Sequence, residues 1–447
     1  MPRPPLTYKE ALTWLYSLQR FGIKLGLENI RRLLAELHLD LRGTRVIHVA
    51  GTNGKGSVCA MIDSICRAQG HRTGLFTSPH LITFRERIRM NGEMISEDAV
   101  ANGLTGIRDL VAGWEPHPTF FEVTTALAVK HFSDPARRGA KRDSAQLPSP
   151  SPLPSRRWER IKVRGGSPDR HELDVVILET GIGGRLDATN AIQSDVSVIT
   201  QIDLDHEKWL GNTLPEIANE KAGIIKPRIP VVSSPQRAEA EKVLRARAVE
   251  CGAPLEFVIK SYEETPIALA GSHQKQNAAV AIAAIHAAKI EIDDKAIARG
   301  LASIEWPARF QVWDERTIID GAHNPAAARL LAETWREIFG DERATLVLAV
   351  LSDKNLRGIC KAVVPIAESV LLPKICSERA ASPEELAKAL SSISPSLPYS
   401  IMSSVADALM LARRGPNPIL ITGSLHFAGE VLAYLRGEPA AFEECAQ

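Results

Sequence analysis

The run Arg45-Val-Ile-His-Val-Ala50, followed by Gly51-Thr-Asn-Gly-Lys-Gly-Ser57 and then VCAMIDSICRAQ through Gln69, decides how this chain folds. Its first six residues form a short, mostly apolar stretch rich in β-branched side chains, which reads as a strand buried on both faces. The last stretch has helical spacing, so the glycines fall at a strand-to-helix turn. A phosphate requires that order, because backbone N–H groups and the positive end of the helix dipole converge on it. Gly51, Gly54 and Gly56 permit close backbone approach, and Thr52 and Asn53 complete the turn. Lys55 supplies a point charge for the β and γ phosphates, and Ser57 offers a hydroxyl towards a metal. Gly56 stands between Lys55 and Ser57, a departure from the usual phosphate-loop pattern. The loop implies nucleotide binding without separating kinase, GTPase and ligase.

Working outward, similar apolar runs recur as DVVILE, VSVITQI, IPVVSS, TIID, ATLVLAV, SVLLP and PILITG. Each reads as a buried parallel strand. Longer segments with helical periodicity lie between them, such as NPAAARLLAETWREIF after TIID. This alternation marks doubly wound α/β layers, repeated along the chain. At 447 residues, two domains are expected. The boundary falls where the helical stretch ending in LASI gives way to EWPARFQVW, giving a nucleotide-binding domain over 1–302 and a smaller Rossmann-like domain over 303–447.

Between 134 and 172 the pattern breaks into a tract rich in Pro, Ser and Arg, which reads as a disordered, solvated insertion. Excising Gln146 to Arg164 is therefore expected to leave solubility and turnover largely intact. A collapse of either in the shortened protein would show that the tract packs. Lys plus Arg number 54 against 53 Asp plus Glu, a formal charge of +1, which points to no nucleic-acid or membrane-surface partner. The six cysteines contain no C-x-x-C pair, and no stretch approaches the ~20 apolar residues of a membrane span. A soluble cytoplasmic monomer without a signal segment is expected.

Several motifs then accumulate in order: GTNGKGS, TSPHL, LETGIGGRLDATN, DLDHEKWLG, EKAGIIK, HQKQN, ARF and DGAHNP. The chain resembles the folylpolyglutamate and dihydrofolate synthases, relatives of the Mur ligases, from GIKLGLENIRRLL near the start to ITGSLHFAGEVL near the end. The resemblance implies a Mur-ligase-type ATP-binding domain followed by a glutamate-ligase domain. It implies ATP- and magnesium-dependent addition of L-glutamate to tetrahydrofolate, to dihydropteroate, or to both, through an acyl phosphate. Another Mur-type amide ligase and a non-catalytic nucleotide-binding homologue are the alternatives.

The resemblance also assigns residues. Ser78 and Glu179 would hold one Mg²⁺, and His206 with Glu179 a second, although magnesium prefers hard oxygen donors to imidazole. Lys221 would react with CO₂ to give a carbamate, an oxygen ligand. Asn277, Arg309 and Asp320 match further ATP contacts, and His323 in the same loop joins Lys55 and Lys221 as a catalytic candidate. Phe120, Phe121 and Glu122, with Leu186, Asp187 and Ala188 and the early Gly26 to Asn29, match segments bordering a pteroate pocket. Without the resemblance, Lys221 reads as a helix-surface lysine paired with Glu220. Glu179 reads as capping the turn at Gly181, His206 as a loop histidine beside Asp205, and Asp320 with Asn324 as helix caps. Phe120 or Phe121 belongs equally to a helix core. Arg85, Arg87 and Arg89 in RERIRMNG read as alternate positions of a hairpin strand, offered to carboxylates.

Overall fold

In the computed structural model, residues 4–22, 26–133, 173–438 and 442–443 are described. The expected insertion over 134–172 lies outside them. The first half builds an eight-stranded sheet from β1 (Arg45–Ala50), β2 (Thr73–Phe76), β3 (Ile88–Met90), β4 (Glu93–Met94), β5 (Val175–Glu179), β6 (Val196–Ile199), β7 (Val231–Ser233) and β8 (Leu255–Phe257). Their order is β4-β3-β2-β5-β1-β6-β7-β8. Six strands run parallel, and β3 and β4 add an antiparallel edge. Strand β1 lies at the centre, paired with β5 from Arg45↔Val175 and with β6 from Ile47↔Val196. Val46, Ile47, Val49 and Ala50 are buried, as both-face coverage by helices demands.

The helix Lys55–Gln69 leaves β1 and packs against the helices Ser272–Ala287 and Asp294–Ala302. Gly300 allows the closest approach, since a Cβ there would stand 2.6 Å from the Cα of Ile65. The Ser64 hydroxyl donates to the Gly300 carbonyl at 2.7 Å across the same seam.

After residue 310 a second sheet forms from β9 (Gln311–Val312), β10 (Thr317–Ile319), β11 (Ala344–Leu348), β12 (Ala367–Pro373), β13 (Tyr399–Met402) and β14 (Ile419–Thr422). Its order is β13-β12-β11-β14-β10-β9, parallel except for β9. All eight runs read as parallel strands therefore form parallel strands. Open parallel sheets place ligands outside the carboxyl ends of their strands, and here those ends turn towards one another: Gly51, Glu179, Asp320 and Ser424 line a single cleft.

One local reading needs correction. Arg85 and Arg87 lie on a 3₁₀ turn, Phe84–Arg87, rather than on a strand, and only Arg89 reaches the paired segment β3. A capping box winds this turn, with the Glu86 carboxylate accepting from the backbone N–H groups of Leu81, Ile82 and Thr83. Arg87 is thereby fully buried and donates to His80 Nδ1 at 2.9 Å. Among the described residues, no helix is long and apolar enough to cross a membrane.

Candidate active site

The glycine loop is stapled before any ligand is considered. Thr52 and Asn53 donate their N–H groups to the Gln201 carbonyl beyond β6, and the Thr52 hydroxyl donates to the Asp203 carbonyl at 2.9 Å. Gly54 has φ +87°, and a Cβ there would stand 2.8 Å from Asn277 Oδ1, so glycine lets the Asn277 amide press against the loop. A Cβ at Gly56 would stand 3.0 Å from Trp306 Nε1. The departure from the usual loop pattern thus has a steric reason, the indole occupying the space a side chain would need.

Two lysines converge on the Gly51 carbonyl, Lys55 Nζ at 3.2 Å and Lys221 Nζ at 2.7 Å. Lys221 is only 4% exposed, and burial, with the Lys55 charge beside it, brings its amine down to about 7. The surface-lysine reading of Lys221 fails, because Glu220 pairs instead with Arg185 at 2.8 Å.

Glu179 ends β5 and is 4% exposed. Burial lifts its carboxyl above the ordinary value, against the opposing charge of Lys55. It accepts the Ser78 N–H at 3.1 Å and does not cap the Gly181 turn, whose N–H goes to Asp187. The Ser78 hydroxyl is buried without a partner. A desolvated carboxylate beside an unpaired hydroxyl is a pair of hard oxygens suited to a divalent cation. Among the described residues, no group of three or more His, Cys, Asp and Glu is arranged to hold a metal. Magnesium takes one or two carboxylates and completes its shell with phosphate oxygens and water.

His206 sits in the left-handed region at φ +52° at the start of the short helix Glu207–Leu210. Burial pulls its imidazole down to about 3, Asp205 opposing, so the ring is neutral and free to act as a ligand. Asp205 was not singled out from sequence. It joins the two halves, with Lys354 Nζ at 2.6 Å, Asn324 Nδ2 at 3.2 Å and His323 Nε2 at 3.6 Å. Burial alone would raise the Asp205 carboxyl, yet the hydrogen bond from His323 and the Lys354 ammonium hold it well below the carboxylate range. Lys354 is also buried, at 8% side-chain exposure. Lys354→Met should therefore destabilise the protein by about 3–5 kcal/mol, the usual cost of stranding a buried charge. Urea unfolding reads this directly, and an unchanged midpoint would refute it.

Asp320 accepts from Phe310 N and Ala322 N, each at 2.8 Å, and so shapes the loop that carries Arg309 and His323. Asn324 does cap the helix Pro325–Phe339, while its amide also reaches Asn53 Oδ1 at 3.0 Å. Every residue assigned to ATP, metal or catalysis lines one cleft of about 370 Å³, from Gly51–Ser57 through Ser78, Glu179, His206 and Lys221 to Asn277, Arg309, Asp320 and His323. The residues assigned to the pteroate pocket do not line it. Phe120 stacks on Tyr16 in the core, and Glu122 accepts from the N–H and hydroxyl of Thr119. Both Asp187 oxygens are taken, by the N–H groups of Gly181, Ile182 and Thr189 and by the Thr189 hydroxyl. Ala188 is buried, while Leu186 and Phe121 are half-buried, Phe121 against Gly181 and Phe76.

A phosphate loop at the carboxyl ends of one sheet's strands and an acidic loop facing it from a second sheet define a Mur-type, nucleotide-using ligase. Residues 308–425 match the family model described as "Mur ligase, glutamate ligase domain". A "Dihydrofolate synthase/folylpolyglutamate synthase" of Bacillus subtilis is 33% identical over 96% of this chain and 99% of its own length. The chain belongs to the folylpolyglutamate and dihydrofolate synthase family. Among solved structures, the bifunctional synthase of Yersinia pestis complexed with AMPPNP and Mn ion superposes with a TM-score of 0.80, at 30% identity, covering 98% of this chain and 99% of that one. "E.coli FolC in complex with DHPP and ADP" superposes at 0.78, with 29% identity and cover of 98% and 99%.

Proposed function

We propose that this chain joins L-glutamate to the carboxylate of a pteroate or folate, consuming ATP and passing through an acyl phosphate. The convergence of Lys55, Ser78, Glu179, His206 and Asp320 on one cleft between two sheets carries the reading. A carboxylate resists amines, because its charge repels them and oxide is a poor leaving group. Transfer of the γ-phosphoryl group makes that oxygen able to leave. Lys55, at the helix N-terminus, offsets the charge that grows on the phosphoryl oxygens, and Arg309 approaches from the linker side. ADP leaves in the phosphoryl transfer; the amine of glutamate then attacks the acyl carbon, and loss of its proton and of phosphate gives the amide.

Ser78 and Glu179 would hold one Mg²⁺ with the phosphate oxygens, and Glu179 with His206 a second. Bound there, the cations would neutralise phosphoryl charge as Lewis acids. Lys221 would join them once its amine has added CO₂ and become an oxygen donor. Only the free amine reacts, and with its amine at about 7 the ammonium prevails below that pH and the amine above it. The folded protein binds fewer protons than the unfolded chain from about pH 7 up to the ordinary lysine range, so this group's penalty on stability eases as pH rises through that window. Protein stripped of CO₂ should lose phosphate release and regain it with bicarbonate, needing more bicarbonate at acid than at alkaline pH. A rate indifferent to bicarbonate would remove the carbamate from the account.

The domain division at 302/303 is part of this proposal, since the segment 303–310 passes between the sheets and carries Arg309 to the nucleotide. Asp320 and His323 come from the second domain, and Asn277 flanks the loop from the first. Phe121 and Leu186 remain at the surface for the pteroate ring system, with Phe120, Glu122, Asp187 and Ala188 fixing their backbone. A monomer in the cytoplasm is the proposed state. Mass spectrometry after incubation with ATP, magnesium and glutamate tests the reading, with dihydropteroate and tetrahydrofolate offered separately. The proposal expects an acceptor heavier by one glutamyl residue, and no product from either acceptor would defeat it.

A further inference from the structure

Beside the main cleft lies a recess of about 40 Å³, lined in part by Gly56, Ser78, Arg89, Glu179, Trp306 and Arg309. Gly56, Ser78, Glu179 and Arg309 also line the main cleft, so the recess is a side chamber of the place where phosphoryl transfer would occur. Its lining sets two guanidinium groups, Arg89 and Arg309, beside the Glu86 and Glu179 carboxylates. Arg89 is half-buried, and its one hydrogen bond is a long contact of Nε to the Glu86 carbonyl at 3.4 Å. The nearby Glu86 carboxylate is already engaged by the backbone N–H groups of Leu81, Ile82 and Thr83. Arg89 thus has no carboxylate partner among the described residues. Its guanidinium lies 5.5 Å from the centre of the Trp306 ring, which holds the side chain over the recess. The Ser78 hydroxyl, 93% buried by residue, adds an unpaired polar atom.

A half-buried guanidinium lacking an acid calls for an anion, and its fork suits a carboxylate best. The recess takes one such group and excludes a pterin or a nucleotide. The two acceptors of the proposed reaction differ in this respect. A pteroate ends in one carboxylate, the one that is phosphorylated. A folate ends in a glutamyl unit with two, so a second, unreactive carboxylate lies four bonds from the reacting carbon. We infer that Arg89, steadied by Trp306, binds this spectator carboxylate and is the residue by which the enzyme accepts folates as well as pteroates. The inference rests on the ligase reading above and deepens it.

Arg89→Gln keeps a polar side chain, shortens it and removes its charge. With tetrahydrofolate as acceptor, KM should rise by about 10–100-fold, the loss expected for one charge-assisted contact, with a smaller change in kcat. With dihydropteroate, KM should stay within about twofold, as should KM for ATP and glutamate. Arg89→Lys should recover part of the loss. Trp306→Phe, which keeps a ring and removes the indole N–H, should produce a milder loss with the same selectivity. A merely structural Arg89 would lower both acceptors together, and that result overturns the inference. So does a rise in KM for glutamate, an unchanged KM for tetrahydrofolate, or a wild-type enzyme that glutamylates dihydropteroate alone. A wild-type protein that glutamylates neither acceptor instead defeats the ligase reading, and shows this before any substitution is made.

Discussion

Lys55→Ala should lower ligation by about 10³-fold or more, the scale seen when a preorganised charge aimed at a developing oxyanion is removed. Lys55 is the residue at which β1's turn becomes a helix, so its ammonium and the helix dipole would act on the same phosphates. Its loss has a second consequence. The Lys55 charge helps to depress the Lys221 amine and opposes the rise of the Glu179 carboxyl. Without it the Lys221 amine should titrate higher and Glu179 should take a proton more readily. Both changes disfavour cation binding, so the variant should bind ATP–magnesium weakly as well as turn over slowly. Folding should survive, because the Lys55 contacts are to the Gly51 and Thr52 carbonyls of its own loop. Near wild-type phosphate release from Lys55→Ala would contradict the assignment.

Glu179→Gln should be comparably inactive, losing several kcal/mol of metal-borne stabilisation, on the order of 10³-fold in rate. The amide keeps the acceptor for the Ser78 N–H and the volume at the end of β5, yet carries no charge for a cation. In the protein without ligands this carboxylate is desolvated and its pKa raised, an energetic burden that the amide lacks. The variant should therefore unfold at the same temperature as wild type or a higher one, while calorimetry shows loss of manganese or magnesium binding in the presence of a non-hydrolysable ATP analogue. Full activity, or a large loss of stability with metal binding preserved, would show that Glu179 serves the fold rather than the site.

The sequence made some of this architecture legible and concealed the rest, for physical reasons. Apolar runs such as RVIHVA and DVVILE announce buried parallel strands, because each crowds three Val and Ile residues into six positions beside a glycine turn. Thr73–Phe76, Leu255–Phe257 and Tyr399–Met402 escaped notice, being poor in the Val and Ile that mark equally short strands such as β7 and β10, and TGLF contains a glycine that weakens any strand signal. The phosphate loop could be read locally, since all its chemistry lies within seven residues. The Asp205–Lys354 pair could not, because its partners are 149 residues apart and each looks like an ordinary surface charge. Trp306 was likewise silent until the fold set it against Gly56, the glycine at which the loop departs from the usual pattern. The residues assigned to a pteroate pocket were singled out only by resemblance. In the structure they split between core packing, as for Phe120, and backbone anchoring, as for Asp187.

Transfer of oxygen-18 from the acceptor to phosphate tests the ligase account most directly. Dihydropteroate labelled in its carboxylate, incubated with the protein, ATP, magnesium and glutamate, should yield phosphate carrying one labelled oxygen for each amide formed, because the carboxylate oxygen leaves with the γ-phosphoryl group. Amide formed while the released phosphate stays unlabelled would contradict activation through an acyl phosphate and, with it, the role assigned to the cleft.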